Sequence, residues 1–341
     1  MENVHSANQL GVGEEIELGQ CFTVKYNSFG DKLACGYSNG KIRIYDLNNK
    51  SNANFMERKI GYFPVTCLRW KPLSKTIILL VNANGEIKQY HSTSGKVLYE
   101  TSEKSNPLMC VDYSIHGTYF ATGGNDKVVK LYDDETKTLI SKLESHSTNL
   151  PQHVNRIFSV KFHPQDSNLL LSGGWDNNVL LYDIRAKEVQ GFLFGPHICG
   201  DGLDAKENIV ITASGSKENQ IMIFDLKMRK KIGIYKATVE KKYDVNLDSN
   251  QENNEMENLS KLYACKINPS NNTFTVSGSN PNLIRIYDYT KLEQNIASTE
   301  LDIVFNNEKE DHASYCCDIR NDGKVAVFGM GDGKLKFYNY N

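Results

Sequence analysis

Seven short runs of alternating polar and apolar residues, each ending in an aromatic residue, recur along the 341-residue chain. The terminal aromatic residues are Tyr45, Tyr90, Tyr132, Tyr182, Phe224, Tyr287 and Tyr338, at intervals of 42 to 63 residues. A period of two together with many Val and Ile residues predicts a β-strand in each run. A pattern repeated at this spacing indicates an architecture built from repeats.

Two earlier strand patterns precede these runs in most units. FATGG and CVDY precede Tyr132, for example, and NLLLSGG and SVKF precede Tyr182. Gly, Asn and Asp occupy the intervening turns, as tight β-connections require, and no long helical periodicity is present. Seven units of about 40–50 residues predict an all-β fold, a seven-bladed β-propeller of four-stranded antiparallel blades.

The motifs resemble those of the WD-repeat family over nearly the whole chain from about Gly13. Unit four matches best: His153, Ser172, Asp176 and Tyr182 stand at the family's His, Ser/Thr, Asp and aromatic positions. The resemblance implies that these four side chains form a hydrogen-bonded structural network inside the blade. A turn carboxylate and an imidazole would then satisfy each other.

The other units depart from this pattern. The turn acid is retained as Asp126 and Asp332, with Glu218 as a further candidate, whereas Asn39, Asn84 and Pro281 replace it elsewhere. Only unit four offers an obvious histidine. The resemblance therefore implies structural roles for Asp126 and Asp332 but leaves their partners open.

The ring requires a closing strand. The last unit ends at Asn341, close behind Tyr338, whereas residues 13–20 alternate Ile16 and Leu18 with Glu. We therefore expect residues 13–20 to be the outer strand of the last blade, so that no sheet edge stays open. Residues 1–12 are then a flexible N-terminal tail, 13–341 a single propeller domain, and 238–260 a mobile acidic, Asn-rich insert.

Composition excludes several classes of function. The net charge of −2 gives no global basic surface for specific nucleic-acid binding. No apolar run approaches the roughly 20 residues needed for membrane insertion, and the first residues do not resemble a signal peptide. The eight cysteines form no Cys-x-x-Cys pair. We therefore expect an intracellular protein, cytoplasmic or nuclear, with reduced thiols and no metal or cofactor.

Small residues recur just before the first apolar position of each innermost strand. They are Thr23, Cys67, Cys110, Ser159, Gly200 (or Cys199), Ala264 and Cys316. Innermost strands converge on the propeller axis, where bulky side chains would not fit. Packing therefore accounts for at least three of the cysteines.

Motifs of catalysis are matched only superficially. GYSNG (36–40) has the letters of a nucleophile elbow but spans a hairpin, and GMGDGK (329–334) lacks the spacing of a phosphate-binding loop. His153, Asp176 and Ser172 could form a hydrolytic triad, but the structural network explains them better. The basic run KMRKK (227–231) is read as a solvated turn, with a lipid or nucleic-acid site as the alternative.

A binding surface is the remaining candidate for function. The resemblance implies that the turns carrying the blade acids and the links between blades share one rim, the top. We expect the partner-binding residues on that rim to be Trp175, Phe194, His197, Tyr62, Phe63 and Asn125. Exposed aromatic residues on a concave rim are typical of binding hot spots. Alternatively, Trp175 folds onto its own blade, and Phe63 and Phe194 fill gaps between blades.

These features predict a non-catalytic scaffold that binds protein or peptide partners on the top rim, as a monomer within a larger complex. The acidic residues of the insert and of residues 306–311 raise the alternative of a basic, histone-like tail. An enzyme in the central well is the alternative from another class. Among mostly small or apolar inner-strand residues, Asp201, with Asp204 nearby, is the exception, and we expect local backbone donors to satisfy it.

Overall fold

The computed structural model describes residues 18–48, 55–145, 147–237, 261–279, 282–293, 301–307 and 311–340. Within these ranges the chain forms 27 β-strands and one helix of four residues, α1 (Thr290–Glu293). The strands form seven antiparallel sheets, six of four strands and one of three. The predicted all-β, seven-bladed architecture is confirmed.

The blades follow one another along the chain. Blade one contains β1 (Cys21–Tyr26), β2 (Lys32–Tyr37), β3 (Lys41–Asp46) and β4 (Phe55–Lys59). Blade two contains β5 (Val65–Trp70), β6 (Ile77–Asn82), β7 (Glu86–His91) and β8 (Val97–Ser102). Blade three contains β9 (Leu108–Tyr113), β10 (Tyr119–Gly124), β11 (Val129–Asp133) and β12 (Leu139–Leu143). Blade four contains β13 (Ile157–Phe162), β14 (Leu169–Gly174), β15 (Asn178–Asp183) and β16 (Glu188–Phe194).

The remaining blades have the same strand order. Blade five contains β17 (Leu203–Lys206), β18 (Ile209–Ala213), β19 (Ile221–Asp225) and β20 (Lys230–Tyr235). Blade six contains β21 (Lys261–Ile267), β22 (Thr273–Ser279), β23 (Leu283–Asp288) and β24 (Asp302–Asn307). Blade seven, within the ranges given above, contains β25 (Ser314–Ile319), β26 (Val325–Met330) and β27 (Leu335–Asn339).

The first strand of each sheet contacts the first strand of the next, and together these strands line the axis of the ring. β25 contacts β1, so the seventh blade adjoins the first. The Tyr26 N–H donates to Oδ2 of Asp318 at 2.8 Å, and the Cys316 thiol donates to the Cys21 carbonyl at 3.5 Å. The ring is therefore continuous at the junction between its two ends.

The hydrophobic core lies between neighbouring blades, because each sheet buries its faces on the adjacent sheets. Val24 and Cys21 of blade one, for example, pack in one cluster with Val327 and Cys316 of blade seven. Small residues of the innermost strands permit this approach, and Cys316 lies opposite Gly329 in register. All eight cysteines are free thiols, and all except the half-buried Cys199 are buried. The thiols thus behave as small apolar core residues.

The position that we expected for the small residue in blade five is wrong. β17 begins only at Leu203, and its partner in register is Thr212 of β18. The Ala213 N–H donates to the Gly202 carbonyl at 2.9 Å, so Gly202, rather than Gly200 or Cys199, holds the small-residue position. The expectation failed because residues 198–202 are not in a strand, so the innermost strand begins later than expected.

Two predicted segments lie wholly or mainly outside the described residues. The insert 238–260 is one, and residues 13–17 of the predicted closing strand are the other. At the described end of that strand, Leu18 and Gly19 lie against Gly333 of blade seven. The closing strand and the single-domain boundaries therefore stay predictions. In the described part of the chain, no helix has the length and apolar character to cross a bilayer.

Candidate functional site

One face of the ring carries both the turns between second and third strands and the links between blades. The Trp175 N–H in the blade-four turn donates to the carbonyl of Arg156, in the link before β13, at 3.2 Å. The equivalent bond in blade two joins the Ala83 N–H to the Pro64 carbonyl at 3.1 Å. We call this face the upper face, and the opposite face, with the turns between first and second strands, the lower face.

Trp175 is the centre of an aromatic cluster on the upper face. Its ring stacks on Phe158 with centroids 5.0 Å apart and on His197 with centroids 6.0 Å apart. The Arg156 guanidinium lies 5.3 Å from the indole centroid, within the range of a cation–π contact. The Trp175 side chain nevertheless stays 36% exposed. Trp175 therefore packs on its own blade and also presents a fixed aromatic edge to solvent.

Further aromatic residues surround the upper opening of the central channel. Phe158 directly precedes the small residue Ser159 in β13, and Phe22, Tyr263 and Tyr315 directly precede the small residues of β1, β21 and β25. Tyr315 contacts Tyr263 with centroids 5.5 Å apart and Phe22 with centroids 5.8 Å apart. We call Phe22, Phe158, Tyr263 and Tyr315 the mouth aromatics. The sequence signal for them was their position just before the small residue of each innermost strand.

The predicted rim residues do not form one site. His197 belongs to the Trp175 cluster, where its Nδ1 lies 3.1 Å from Oδ1 of Asn177. Asn125 is half-buried in the turn of neighbouring blade three, and Phe194 is an exposed residue at the end of outer strand β16. Tyr62 and Phe63 lie in the link before blade two, on the far side of the ring from Trp175.

Two exposed cations lie on the Trp175 side of the upper face, whereas the carboxylate of the adjacent Asp176 is buried. Arg156 is exposed beside the indole, and Lys261 is exposed at the start of β21. The Leu262 N–H donates to the Ser214 carbonyl at 3.2 Å and the His197 N–H donates to the Ser214 hydroxyl at 3.0 Å, so Lys261 lies near the link that carries His197. The Trp175 side of the channel mouth thus combines aromatic surface with two cations.

Below this turn, blade four contains the network that the resemblance implied. Nδ1 of His153 lies 2.6 Å from Oδ2 of Asp176, and its Nε2 lies 2.6 Å from Oγ of Ser172. The Ser172 hydroxyl donates to the Tyr182 hydroxyl at 3.1 Å. Burial alone would raise the pKa of the Asp176 carboxyl, but hydrogen bonds from His153 and the Val154 N–H lower it below its usual value. The network ties the turn that carries Trp175 to the body of the blade.

We expect Asp176→Ala to lower the free energy of unfolding by about 1–3 kcal/mol, because it leaves the buried His153 nitrogen and the Val154 N–H without their acceptor. Urea unfolding followed by tryptophan fluorescence measures the loss. Glu188→Ala, which removes a half-buried carboxylate that accepts one hydrogen bond from Gln190 in the same blade, is the matched control and should change stability by less than about 0.5 kcal/mol. Equal midpoints for wild type and Asp176→Ala would show that the network contributes nothing.

Blade three builds an equivalent network without a histidine. The buried Glu103 carboxylate accepts hydrogen bonds from Thr122 Oγ1 at 2.6 Å and the Tyr132 hydroxyl at 2.9 Å. Lys130 forms ion pairs with both Glu103 and Asp126, so the predicted turn acid Asp126 joins the network through a lysine. Sequence reasoning missed Glu103 because it searched this position for an imidazole.

Blade seven holds its turn acid more loosely. Asp332 accepts the Lys334 N–H at 3.0 Å and pairs with the Lys334 ammonium at 3.2 Å. His312, more than half exposed, approaches Asp332 only to 3.9 Å. A histidine is thus present beside this turn acid too, although it makes no buried network.

The expectation that Asp201 is the exception among small or apolar inner-strand residues is wrong. The residue two positions after the small residue is charged in every innermost strand. These residues, the axial charge ring, are Lys25, Arg69, Asp112, Lys161, Asp204, Lys266 and Asp318. The sequence shows this position in runs such as FTVKY and SVKF. These side chains lie in the interior of the ring.

Members of the axial charge ring bind one another across blade boundaries. Asp204 pairs with Lys161 at 2.9 Å and with Lys266 at 3.1 Å, and it accepts the Ile267 N–H at 2.9 Å. Arg69 pairs with Asp112 at 3.0 Å. Each contact joins an acid to a donor of an adjacent blade, so the ring links neighbouring blades electrostatically.

Asp201 spans the channel rather than joining neighbours. Its two carboxylate oxygens lie 2.9 Å from Lys25 of blade one and 2.9 Å from Arg69 of blade two. In a ring of seven, blades one and two lie opposite blade five, which carries Asp201. Our expectation of local backbone donors for this acid is therefore wrong, because side-chain cations from the far side of the ring satisfy it.

These ion pairs keep both acids charged. Burial alone would raise the pKa of Asp201, but Arg69 and Lys25 hold it far below its usual value. Burial acts likewise on Asp204, and Lys161 and Lys266 hold its pKa far below the usual value. A divalent cation on these acids would have to displace the four basic side chains. Among the described residues, no group of three or more His, Cys, Asp or Glu side chains converges as a metal site.

Comparison with known proteins supports the architecture. A family profile described as "WD domain, G-beta repeat" matches residues 95–133 and 143–183. The chain is 24% identical over 233 residues to Intraflagellar transport protein 122 homolog of Mus musculus, covering 68% of this chain and 19% of that protein. It is 21% identical over 212 residues to APC/C activator protein CDH1 of Saccharomyces cerevisiae, covering 61% and 35%. The chain therefore spans less than half the length of these relatives.

A solved structure shares the fold. One chain of the "Crystal Structure of Mitotic Checkpoint Complex" superposes with a TM-score of 0.73 at 14% sequence identity, covering 99% of this chain and 94% of that chain. At this identity the likeness is one of fold. With the ring of seven sheets, this likeness shows that the chain has the seven-bladed β-propeller fold, and the profile identifies WD repeats at residues 95–133 and 143–183.

Proposed function

We propose that the chain is a non-catalytic protein-interaction scaffold that binds a partner segment at the upper mouth of the propeller, with Trp175 as the anchor. The observation that carries the proposal is the Trp175 cluster, in which an exposed indole is held in one orientation by Phe158, His197 and Arg156. Rigid, partly exposed aromatic residues lose little entropy on binding and are frequent hot spots.

Two similar proteins are consistent with such a role. One is named an APC/C activator and the other an intraflagellar transport protein, and the solved structure of like fold is that of a complex. From these proteins we propose for this chain only that it assembles with other proteins. As part of the proposal, the chain acts inside the cell, in the cytoplasm or nucleus, as a monomer that joins a larger complex.

The charge at the mouth narrows the kind of partner segment. The alternative of a basic, histone-like tail depends on acids of residues 238–260 and 306–311, most of which lie outside the described residues. Arg156 and Lys261, the two exposed cations on this side of the mouth, instead favour a segment that places a carboxylate next to an apolar or aromatic side chain. We therefore favour an acidic over a basic segment at this mouth.

Trp175→Ala should leave folding nearly intact and weaken partner binding by about tenfold or more, as expected for loss of a hot-spot aromatic residue. The partner is recovered by affinity purification of the tagged full chain from its native cell. Its binding to purified wild-type and variant chains is then measured by biolayer interferometry. Phe192→Ala is the matched control, because Phe192 is similarly exposed at 39% but lies on outer strand β16.

Equal affinity of Trp175→Ala and wild type for every recovered partner would refute the role of Trp175. The charge preference is tested separately with Arg156→Glu. This variant should weaken binding of the recovered partner, whereas a gain in affinity would show that the bound segment is basic and would favour the histone-like alternative.

A further inference from the structure

A second group of exposed apolar residues lies on the lower face. Phe29, Leu73 and Ile115 occupy the turns between first and second strands of blades one, two and three, and they are 50%, 78% and 38% exposed. Large apolar residues exposed singly are common and need no explanation. Here three of them occupy consecutive turns of one face, and we call this group the lower patch.

Contacts between the turns make the lower patch continuous. The Lys75 ammonium of the blade-two turn lies 4.7 Å from the ring centroid of Phe29 in the blade-one turn. A Cβ added to Gly117 in the blade-three turn would lie 3.2 Å from Cδ of Pro72, next to Leu73. The three apolar side chains thus project from adjoining turns.

Leu73 lowers the stability of the fold, because its backbone conformation is strained and its side chain is largely exposed. The Ser74 N–H donates to the Lys71 carbonyl at 3.1 Å, closing a turn in which Leu73 adopts a φ of 61°. This left-handed position after proline favours Gly or Asn, and a larger side chain there is strained. The described chain has eight non-glycine residues with positive φ, and Leu73 is the one large apolar side chain among them. An exposed, strained leucine is better explained by binding than by folding.

Charge indicates what binds there. Lys75 is exposed and has no carboxylate within ion-pair distance among the described residues, whereas Asp322 on the same face is paired with Arg320 and Asp31 accepts a hydrogen bond from Asn27. A second copy placed symmetrically would bring Lys75 close to its own equivalent, which is unfavourable. The exposed acids Asp46 and Asp322 make this face a poor match for an anionic membrane.

We propose that the lower patch is a second docking surface, for a segment of another protein that carries apolar side chains next to a carboxylate. The apolar side chains of that segment cover Phe29, Leu73 and Ile115, and its carboxylate pairs with Lys75. Because the lower patch and the Trp175 cluster lie on opposite faces, the propeller can hold two partners at once. This surface does not depend on the upper mouth being a binding site.

The test uses the full chain and a displayed library of random peptides. The bait is the chain with Trp175→Ala, which depletes peptides that bind the upper mouth. Peptides that also bind this bait when it carries Leu73→Asn are then removed. Asparagine suits the left-handed position, so Leu73→Asn should melt at the wild-type temperature or above. We expect selected peptides with apolar residues beside Asp or Glu to lose about tenfold or more in affinity for Leu73→Asn. Lys75→Glu should also weaken them, while Phe192→Ala should not.

Three results would overturn the proposal. One is a selection in which no peptide distinguishes the bait from its Leu73→Asn version. Another is concentration-dependent dimerisation in analytical ultracentrifugation that Leu73→Asn abolishes, which would assign the lower patch to a second copy of the chain. The last is Leu73-dependent sedimentation with phosphatidylserine vesicles in the absence of any peptide binder, which would assign it to lipid.

Discussion

Asp204→Ala should lower the free energy of unfolding by about 3–5 kcal/mol, the largest effect that we expect from a single substitution. The Asp204 carboxylate is almost completely buried and holds the ammonium groups of Lys161 and Lys266 at 2.9 and 3.1 Å. Its removal leaves two like charges close together in the interior, where water solvates them poorly. It also leaves the Ile267 N–H without its acceptor. Urea unfolding at neutral pH measures the loss.

The charge on Asp204, rather than its volume, should cause this loss. Asp204→Asn keeps the shape and should still be strongly destabilising, whereas Lys161→Met and Lys266→Met added to Asp204→Leu should recover part of the loss. A loss below about 1 kcal/mol for Asp204→Ala would show that the two lysines reach water through the channel, and our account of the axial charge ring would be wrong.

Acid provides a second measurement on the same variant. The folded-state pKa values of Asp201 and Asp204 lie below the unfolded value of about 3.9, so the unfolded chain takes up protons first as the pH falls. The stability that these acids contribute is complete above that unfolded pKa and is lost as the pH falls toward the folded values. Between pH 5 and pH 3, roughly one unit above and below the unfolded pKa, Asp204→Ala should therefore lose less stability than wild type.

Glu103→Ala should lower the free energy of unfolding by about 2–4 kcal/mol. The substitution removes the acceptor of Thr122 and Tyr132 and one carboxylate partner of Lys130, all within blade three. We expect a larger loss than for Asp176→Ala, because Glu103 balances a buried cation as well as accepting hydrogen bonds. Parallel urea titrations of the two variants provide the comparison.

Glu103→Gln is the matched control for the charge. The amide oxygen can still accept from Thr122 or Tyr132, so this variant should lose less stability than Glu103→Ala, with the difference from wild type reflecting the Lys130 pair. If Lys130 relied on Asp126 alone, Glu103→Gln would match wild type, and the proposed three-residue charge network would be refuted.

The local features of the sequence predicted the blades well. Period-two alternation ending in an aromatic residue predicted strands such as β3, β11 and β15. Consecutive side chains of a strand point to opposite faces of the sheet, so a short run of residues is enough to identify it. The His153, Ser172, Asp176 and Tyr182 network followed from the resemblance, and its distances agree with hydrogen bonding.

Features that depend on the closed ring could not be read from local pattern. Whether Lys161 faces solvent or an acid depends on Asp204 of the next blade, and nothing within β13 identifies that neighbour. Likewise, nothing within β13 shows that Phe158 contacts Trp175, because the indole comes from the turn between β14 and β15. Glu103 was missed for a chemical reason: a lysine and an acid fill a position where a histidine was sought.

The bond from Asp201 across the axis has a consequence for the order in which the protein is made. Arg69 and Asp201 are separated by 132 residues, so the strands of blades one to four are all translated before the acid that Lys25 and Arg69 share. A nascent chain halted within blade four carries Lys25 and Arg69 at an unfinished centre. Translation of Asp201 and Asp204 at the start of blade five is therefore the step of synthesis at which the acids near the axis first balance the bases.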